Sequence, residues 1–498
     1  MSIFIYGLMP VYAQEYSPYY TNPQYQQYLN YLINSGRINL SHPLSQPYQV
    51  NELLDCLLTD QNDNDSYFTR LLNKDLKKLS STENSLNEYG KLIASTDGSY
   101  GYNSNESKRT YYTANASLDY LYKNFGMRYK YALDERYKDN TVYFGAMGKF
   151  ETKVEGRATE AYLQWQGTNI QLFMGRMNRN FGIMGDPGLL ISDNPFSYDH
   201  LAFIFHNRPL KYTAIFGRLN DIYGYDIRDS VPQYNWNTRF LSIHRFELRI
   251  TKKLEVAFTE SMLFGGKDQY PLFQYLNPAN IFFFSKMSDR KGYQEASAND
   301  LMSFEFQYKP FHKLTLFSQF LLDDMDFTKR LRAIYPDRIG LKARIIYADP
   351  VPGSQVSLTY NKISNWTYNS FYTWGNYTFY GQSLGYPMNG VESLSLDIDA
   401  FNLSPFMLNF RFKAEQYRQQ DLDAPYLAIK TKFPIGIPQQ GISAKLKTIW
   451  VPKSYYMADL EMEYISFNNY NNIKGVNKSF LNVMLNAKFI GVFELFKK

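Results

Sequence analysis

The chain has five histidines, His42, His200, His206, His244 and His312, and none pairs with another at the spacing that places two metal ligands on one helix face. HExxH, GxSxG and GxxxxGK[ST] are all missing from the sequence. "YDHLAF" sets Asp199 beside His200, the residue types of a base and its orienting acid. Neighbours on a strand point to opposite faces, so these two side chains diverge, and His200 reads as a histidine at a loop edge. His312, in "PFHK", reads as solvated. The single cysteine, Cys56 in "VNELLDCLL", rules out an internal disulfide framework and any cysteine-based zinc site. It reads as a small buried residue on a helix. No catalytic residue, metal site or cofactor is expected.

Two other stretches offer binding chemistry. "NWTYNSFYTWGNYTFYGQSLGYP", from Asn365 to Pro387, carries Trp366, Tyr368, Tyr372, Trp374, Tyr377 and Tyr380 among Asn, Thr and Ser. Aromatic faces stack on the C–H faces of sugars, and amides and hydroxyls bond sugar hydroxyls. The same mixture also suits a loop that packs on itself within an aromatic girdle, and composition alone does not separate the two. "GRMNRNFGIMGDPGLLISDNPFSYDHL", from Gly175 to Leu201, is glycine-rich and brings Arg176, Arg179, Asp186, Asp193 and Asp199. It reads as an ordered loop folding into the mouth of a larger structure, its arginines free either to pair with these acids or to meet an acidic polymer.

The elements that must position these loops follow from composition and periodicity. Of 498 residues, 45 are Tyr and 37 Phe, while charged residues make up only 20 %. The mean hydropathy is nevertheless −0.43, so the aromatics are interleaved with polar residues instead of gathered in apolar runs. A net charge of +6 with no dense basic block argues against nucleic acid. There is no run of about 18 apolar residues, and hence no transmembrane helix. "MSIFIYGLMPVYA" looks like the apolar part of a signal peptide, with cleavage after Ala13 and a true start upstream of Met1.

Residues 22–89 have helical spacing: "PQYQQYLNYLINSGRI" places Tyr28, Leu29, Leu32 and Ile33 on one face before Gly36, and "QVNELLDCLL" and "DSYFTRLLNKDLKKLS" follow the same rule. After Gly90 the period changes to two and stays there. In "RTYYTANASLDYLYKNFGMRYKYAL" one face reads Tyr112, Ala114, Ala116, Leu118, Tyr120 and Tyr122, and the other carries Asn115, Ser117 and Asp119. The connections between such segments alternate between tight ("NFG", "GTN", "NRP", "TKK", "PFHK", "DPVPG", "NLSP", "VPKS") and long, near 138–155, 177–198, 219–238, 265–300, 323–337, 363–390, 418–440 and 468–477. A first strand at "KLIASTDGSYGY" with "NSNESKR" as its loop completes the alternation. The parse gives an all-β transmembrane fold, a closed antiparallel outer-membrane β-barrel of about eighteen strands over 90–498, with a small helical unit at the periplasmic end. "YLAIKTKF", Tyr426–Phe433, reads as a strand inside one of the long loops.

"FMGRMNRNFGIMGDPGLLISDNPFSYDHLAFIF", "TESMLFGGKDQYPLFQYLNPANIFFF" and "YTWGNYTFYGQSLGYP", in this order, resemble the capsule assembly protein Wzi family, as does the opening "YLINSGRINLSHPLSQPYQVNELL". The resemblance implies an eighteen-stranded barrel with a periplasmic helical bundle. It also implies a lectin-like, non-catalytic role in holding capsular or other exported polysaccharide. The expected partners are that polysaccharide, outer-membrane lipids and lipopolysaccharide, with no nucleic acid and a monomeric chain. The expected contact residues are Trp366, Tyr368, Tyr372, Trp374, Tyr377, Tyr380, Arg176 and Arg179. The alternative function is a passive, porin-like channel for a small solute, its lumen lined by Asn115, Ser117, Asp119, Arg128 and Lys130.

Overall fold

A computed structural model of the chain describes residues 17–59, 66–80, 88–103, 109–139, 155–224, 234–284, 298–324, 336–418, 421–423, 426 and 432–497. The expected leader and most of "YLAIKTKF" lie outside the described residues. Eighteen strands form the wall. They are β1 Glu88–Asn103, β2 Arg109–Tyr122, β3 Phe125–Asp134, β4 Glu155–Gln166, β5 Ile170–Met177, β6 Tyr198–His206, β7 Leu210–Arg218, β8 Asn235–Arg249 and β9 Leu254–Gly266. The second half has β10 Ala298–Phe311, β11 Leu314–Asp324, β12 Arg338–Ala348, β13 Ser354–Ile363, β14 Val391–Leu403, β15 Phe406–Tyr417, β16 Gln439–Lys453, β17 Tyr456–Asn468 and β18 Lys478–Lys497. Each is antiparallel to the next, and β1 pairs with β18 from Tyr89↔Lys497 to Asn103↔Asn482, which closes the barrel. The connections after the even-numbered strands up to β16 are two to five residues long, and the long loops all lie at the other end.

The alternation seen in the sequence is the alternation of the wall. Leu118, Tyr129, Leu163, Leu172, Phe304, Ile345, Leu358, Ile398, Phe410 and Leu485 are exposed on the outside. An apolar belt of this extent in contact with solvent would be a liability, whereas a bilayer requires it. The alternate positions turn into the lumen, where Asp119 binds Arg128 at 2.7 Å and Arg128 reaches Glu160 at 3.4 Å.

Three helices, α1 Gln26–Asn34, α2 Val50–Thr59 and α3 Tyr67–Leu79, sit at the tight-turn end. Their apolar faces meet through Leu29, Leu32, Leu53, Leu57, Phe68, Leu72 and Leu76, and the same cluster takes in Phe401, Met407, Ile449 and Val451 of the barrel. Polar contacts fix the position: Tyr31 Oη donates to Asp349 at 2.5 Å, Tyr67 Oη to the Val451 carbonyl at 2.9 Å, and Lys309 Nζ to the Ile33 carbonyl at 2.8 Å. Cys56 is half-buried on α2, and burial pushes its thiol up to about 11, which makes a reactive thiolate scarce at neutral pH.

The chain between α1 and α2 enters the lumen. Ser45–Gln46 pairs with Asn180–Phe181 of the loop after β5. That loop runs through the barrel: Leu189, Leu190 and Ile191 are fully buried against Leu241, Ile243, Leu263, Leu301 and Leu321, which project inward from β8 to β11. It tolerates no larger residue at Gly188, whose Cβ would fall 2.1 Å from the Phe181 carbonyl oxygen and 2.3 Å from that of Ile191. Among the described residues the lumen holds cavities of about 450 and 210 Å³ beside the N-terminal segment, and one of about 540 Å³ that reaches from Tyr48 to Phe196. Asn115, Ser117, Arg128 and Lys130, expected to line a pore, line the first of these.

One long segment behaves differently from the sequence reading. After β9, residues 267–284 fold back down the outside of the wall. Tyr275 packs on outward-facing Phe264 at 4.8 Å, Phe282 stacks on His244 at 4.0 Å, and the Phe282 amide donates to Glu260 at 3.2 Å. His244 and Glu260, directly paired across β8 and β9 and bonded at 3.3 Å, are thereby buried on a face that otherwise meets lipid. The segment can lie there because its own outer surface is apolar: Tyr270, Phe273, Ile281 and Phe284 are exposed.

Arg245 ties wall and plug together. It is fully buried, donates to both oxygens of Glu305 at 2.7 and 2.8 Å, and reaches the Leu44 carbonyl at 3.0 Å. Arg245→Ala leaves Glu305 buried without its counter-ion, bonded among the described residues only by Gln319 at 3.1 Å, so it should destabilise the barrel by about 3–5 kcal/mol. Urea unfolding in lipid vesicles, followed by tryptophan fluorescence, measures this.

Candidate functional site

The loop end of the barrel is covered by the segment 364–390, and the lining of β8, β11 and β12 explains how it is held. Arg239, inward on β8 and fully buried, donates to the carbonyls of Trp374 at 2.9 Å, Asn376 at 2.5 Å and Thr378 at 2.8 Å. Arg338 on β12 bonds the Asn369 carbonyl, and Asp323 on β11 accepts from the Tyr368 amide at 2.7 Å. The Tyr368 hydroxyl donates to the Leu189 carbonyl at 2.6 Å, and Ser192 reaches the Gly385 carbonyl at 2.5 Å, so the cap is bolted to the plug beneath it.

This architecture sorts the residues expected from sequence. Trp366, Tyr368, Trp374 and Tyr377 are buried: Tyr368 stacks on Tyr377 at 6.2 Å, and the Tyr377 hydroxyl meets Ser261 at 2.8 Å. Their faces are occupied by the protein, which is the self-packing loop that composition left open. Tyr372 and Tyr380 remain partly exposed, Tyr372 with one face on Trp374 at 4.5 Å. Arg179 is buried in the lumen, where its Nε donates to His200 at 3.0 Å and its guanidinium lies over Phe173 at 4.9 Å. His200 is therefore a luminal partner of Arg179 and not a loop-edge histidine. Asp199 points the other way, as strand geometry requires, and holds Arg176 at 2.5 Å on the outer face of the wall.

Three further aromatics were not singled out from the sequence. Ile222–Gly224 pairs with the start of β8, Tyr223 opposite Trp236. Tyr223 stacks with Tyr234 at 5.7 Å and meets Trp236 at 5.6 Å, and all three rings are more than half exposed. Trp236 lies 13 residues along β8 from Arg249 at the turn. At about 3.3 Å per residue and a tilt near 40°, that is roughly 30 Å, beyond an apolar band of about 25 Å. The hairpin abuts the cap: a Cβ on Gly224 would fall 2.4 Å from Thr373 Cγ2, and the Tyr380 amide donates to Asn220 at 2.9 Å. Since neighbours on a strand point to opposite faces, the hairpin meets the cap through the side of Gly224 and presents Tyr223, Tyr234 and Trp236 on its other side, at the loop end of the barrel. The signal was present in "IYGY" and "QYNW", but nothing local distinguishes an exposed loop aromatic from a packed one.

Losing Arg239 should loosen the cap without opening the wall. A net contribution of roughly 1.5–3 kcal/mol for a charged hydrogen bond means that Arg239→Leu should raise proteolytic cleavage within 364–390 at least tenfold, read by mass spectrometry of the fragments.

In fold, the chain is similar to the structure described as Wzi, an outer membrane protein involved in group 1 capsule assembly in Escherichia coli and a carbohydrate-binding β-barrel. The TM-score is 0.61 at 12 % identity, covering 94 % of this chain and 98 % of that one. A Pseudomonas aeruginosa barrel, OccD3 (OpdP), matches with a TM-score of 0.48 at 10 % identity over 82 % of this chain and 93 % of that one. No curated protein matches in sequence. The family model of capsule assembly protein Wzi, however, matches residues 77–390, more than half of the 498, and the chain belongs to that family.

Proposed function

We propose that this protein is a non-catalytic barrel of the bacterial outer membrane that binds exported polysaccharide at its loop face and helps attach capsule or exopolysaccharide to the cell. The observation that carries the reading is the exposed aromatic cluster Tyr223, Tyr234 and Trp236 at the loop end, on a hairpin packed against the capped barrel, with Tyr372 and Tyr380 of the cap also partly exposed. Rigid, solvent-exposed rings stack on sugars with little entropic loss. Carbohydrate binding, stated for the Escherichia coli protein, supports the same reading here. In this orientation the tight turns and helical unit, residues 22–89, face the periplasm and the long loops face outward. Lipid and lipopolysaccharide surround the wall, and one chain suffices for closure. Trp366, Tyr368, Trp374 and Tyr377 serve as the foundation of the cap and Arg179 as a luminal strut, while Arg176, partly exposed where Asp199 holds it, is the arginine left to meet an acidic polymer.

Each ring should contribute about 1 kcal/mol, with avidity from repeated units engaging many copies. Purified wild-type barrel should therefore retain polysaccharide from its host, and Tyr223→Ala/Trp236→Ala should lose most of it while unfolding at the same denaturant concentration. A deletion strain with a full surface glycan, together with no retention by the wild type, would overturn the proposal. The packed lumen sets a second expectation, the lack of steady conductance in planar bilayers; a stable open current would favour the channel instead.

A further inference from the structure

The structure places an unassigned cluster where the N-terminal segment meets the wall at the tight-turn end. His42 comes from the stretch that enters the lumen between α1 and α2, Glu247 from the end of β8, and Glu255 from the start of β9. One ligand atom from each lies within 4.8 Å of the others, and all three residues are at least nine-tenths buried, at 6, 0 and 4 % exposure.

The hydrogen bonds show which lone pairs are unused. His42 Nε2 lies 3.2 Å from the Asn207 carbonyl oxygen, which can only accept, so Nε2 carries the proton and Nδ1 presents a lone pair. Glu247 Oε1 is engaged by Ser45 Oγ at 2.5 Å, Arg245 at 3.3 Å and Lys211 at 4.0 Å. His42 Nδ1, Glu247 Oε2 and Glu255 Oε1 are buried with no hydrogen-bond partner among the described residues. An arrangement of three such acceptors without a donor is unfavourable unless a proton or a metal cation joins it. A carbonyl bonded to the far ring nitrogen is also how a metal-bound histidine is normally oriented.

We propose that His42, Glu247 and Glu255 form a binding site for a divalent metal ion of the zinc class. One imidazole and two carboxylates suit such an ion, with water completing the coordination. Bonds of about 2.0–2.2 Å bring ligand atoms to roughly 3.5 Å from one another, a closure that rotation of the two glutamate side chains supplies. Because His42 and the two glutamates lie some 200 residues apart in sequence, the ion would staple the N-terminal segment to the wall, acting on the same contact as Arg245.

The test uses tag-free, full-length protein in detergent, stripped with chelator, incubated with zinc chloride, desalted and analysed for metal by mass spectrometry. Wild type should retain on the order of one zinc per chain. His42→Ala and the near-isosteric Glu255→Gln should each retain at least tenfold less while keeping the heat-modifiable mobility of a folded barrel. If a variant does not fold, the wild type decides: zinc should raise its unfolding temperature and chelator should reverse the rise. Wild-type protein that retains no zinc and is not stabilised by it, or folded variants that retain as much as wild type, would overturn the proposal.

Discussion

A strand inside a bilayer has no water to bond its amides, and the pairing of β1 with β18 is what satisfies that constraint for the whole chain. Once the sheet closes, every strand has one face toward lipid and one toward an enclosed lumen, and period-two alternation becomes a physical requirement. The remaining features follow from filling the enclosed space. An interior lined by arginine, glutamate and aspartate must be hydrated or given partners, and here much of it is given partners.

The partners come from the chain's own irregular segments. Luminal arginines act mainly on backbone carbonyls and buried carboxylates: Arg245 on Leu44 and Glu305, Arg239 on Trp374, Asn376 and Thr378, Arg338 on Asn369. Loops without secondary structure leave carbonyls unbonded, and a guanidinium with five donors satisfies several at once. The polar lumen and the irregular plug thus complete each other. The result is a rigid base beneath the loop face, and rigidity is what a surface that binds flexible polymer needs if it is to lose little entropy on contact.

The outer wall follows the same accounting with opposite polarity. His244 and Glu260 face lipid by register, an arrangement a bilayer would penalise, and the segment 267–284 covers them. Irregular backbone at membrane depth is tolerated only where protein buries its polar groups. Glu260 accepts the Phe282 amide and Tyr212 donates to the Pro278 carbonyl, which meets part of that need.

Barrel, strand count, turn polarity and helical unit were legible in the sequence because each is a local property repeated many times. Tyr112 to Tyr122 alternate whatever surrounds them, and "DPVPG" is a turn in most contexts. The sites were not legible, since burial is decided by what lies across the lumen. Trp366 and Tyr223 sit in similar aromatic, polar surroundings in sequence, yet one is 5 % exposed and the other 56 %. Arg179 is followed by Asp186 and Asp193 in its loop and instead pairs with His200. The convergence of His42 with Glu247 and Glu255 has no local trace, because ligands on separate strands and a separate plug share no spacing. Periodicity along the chain determines which face a residue takes; only closure and packing decide what that face meets.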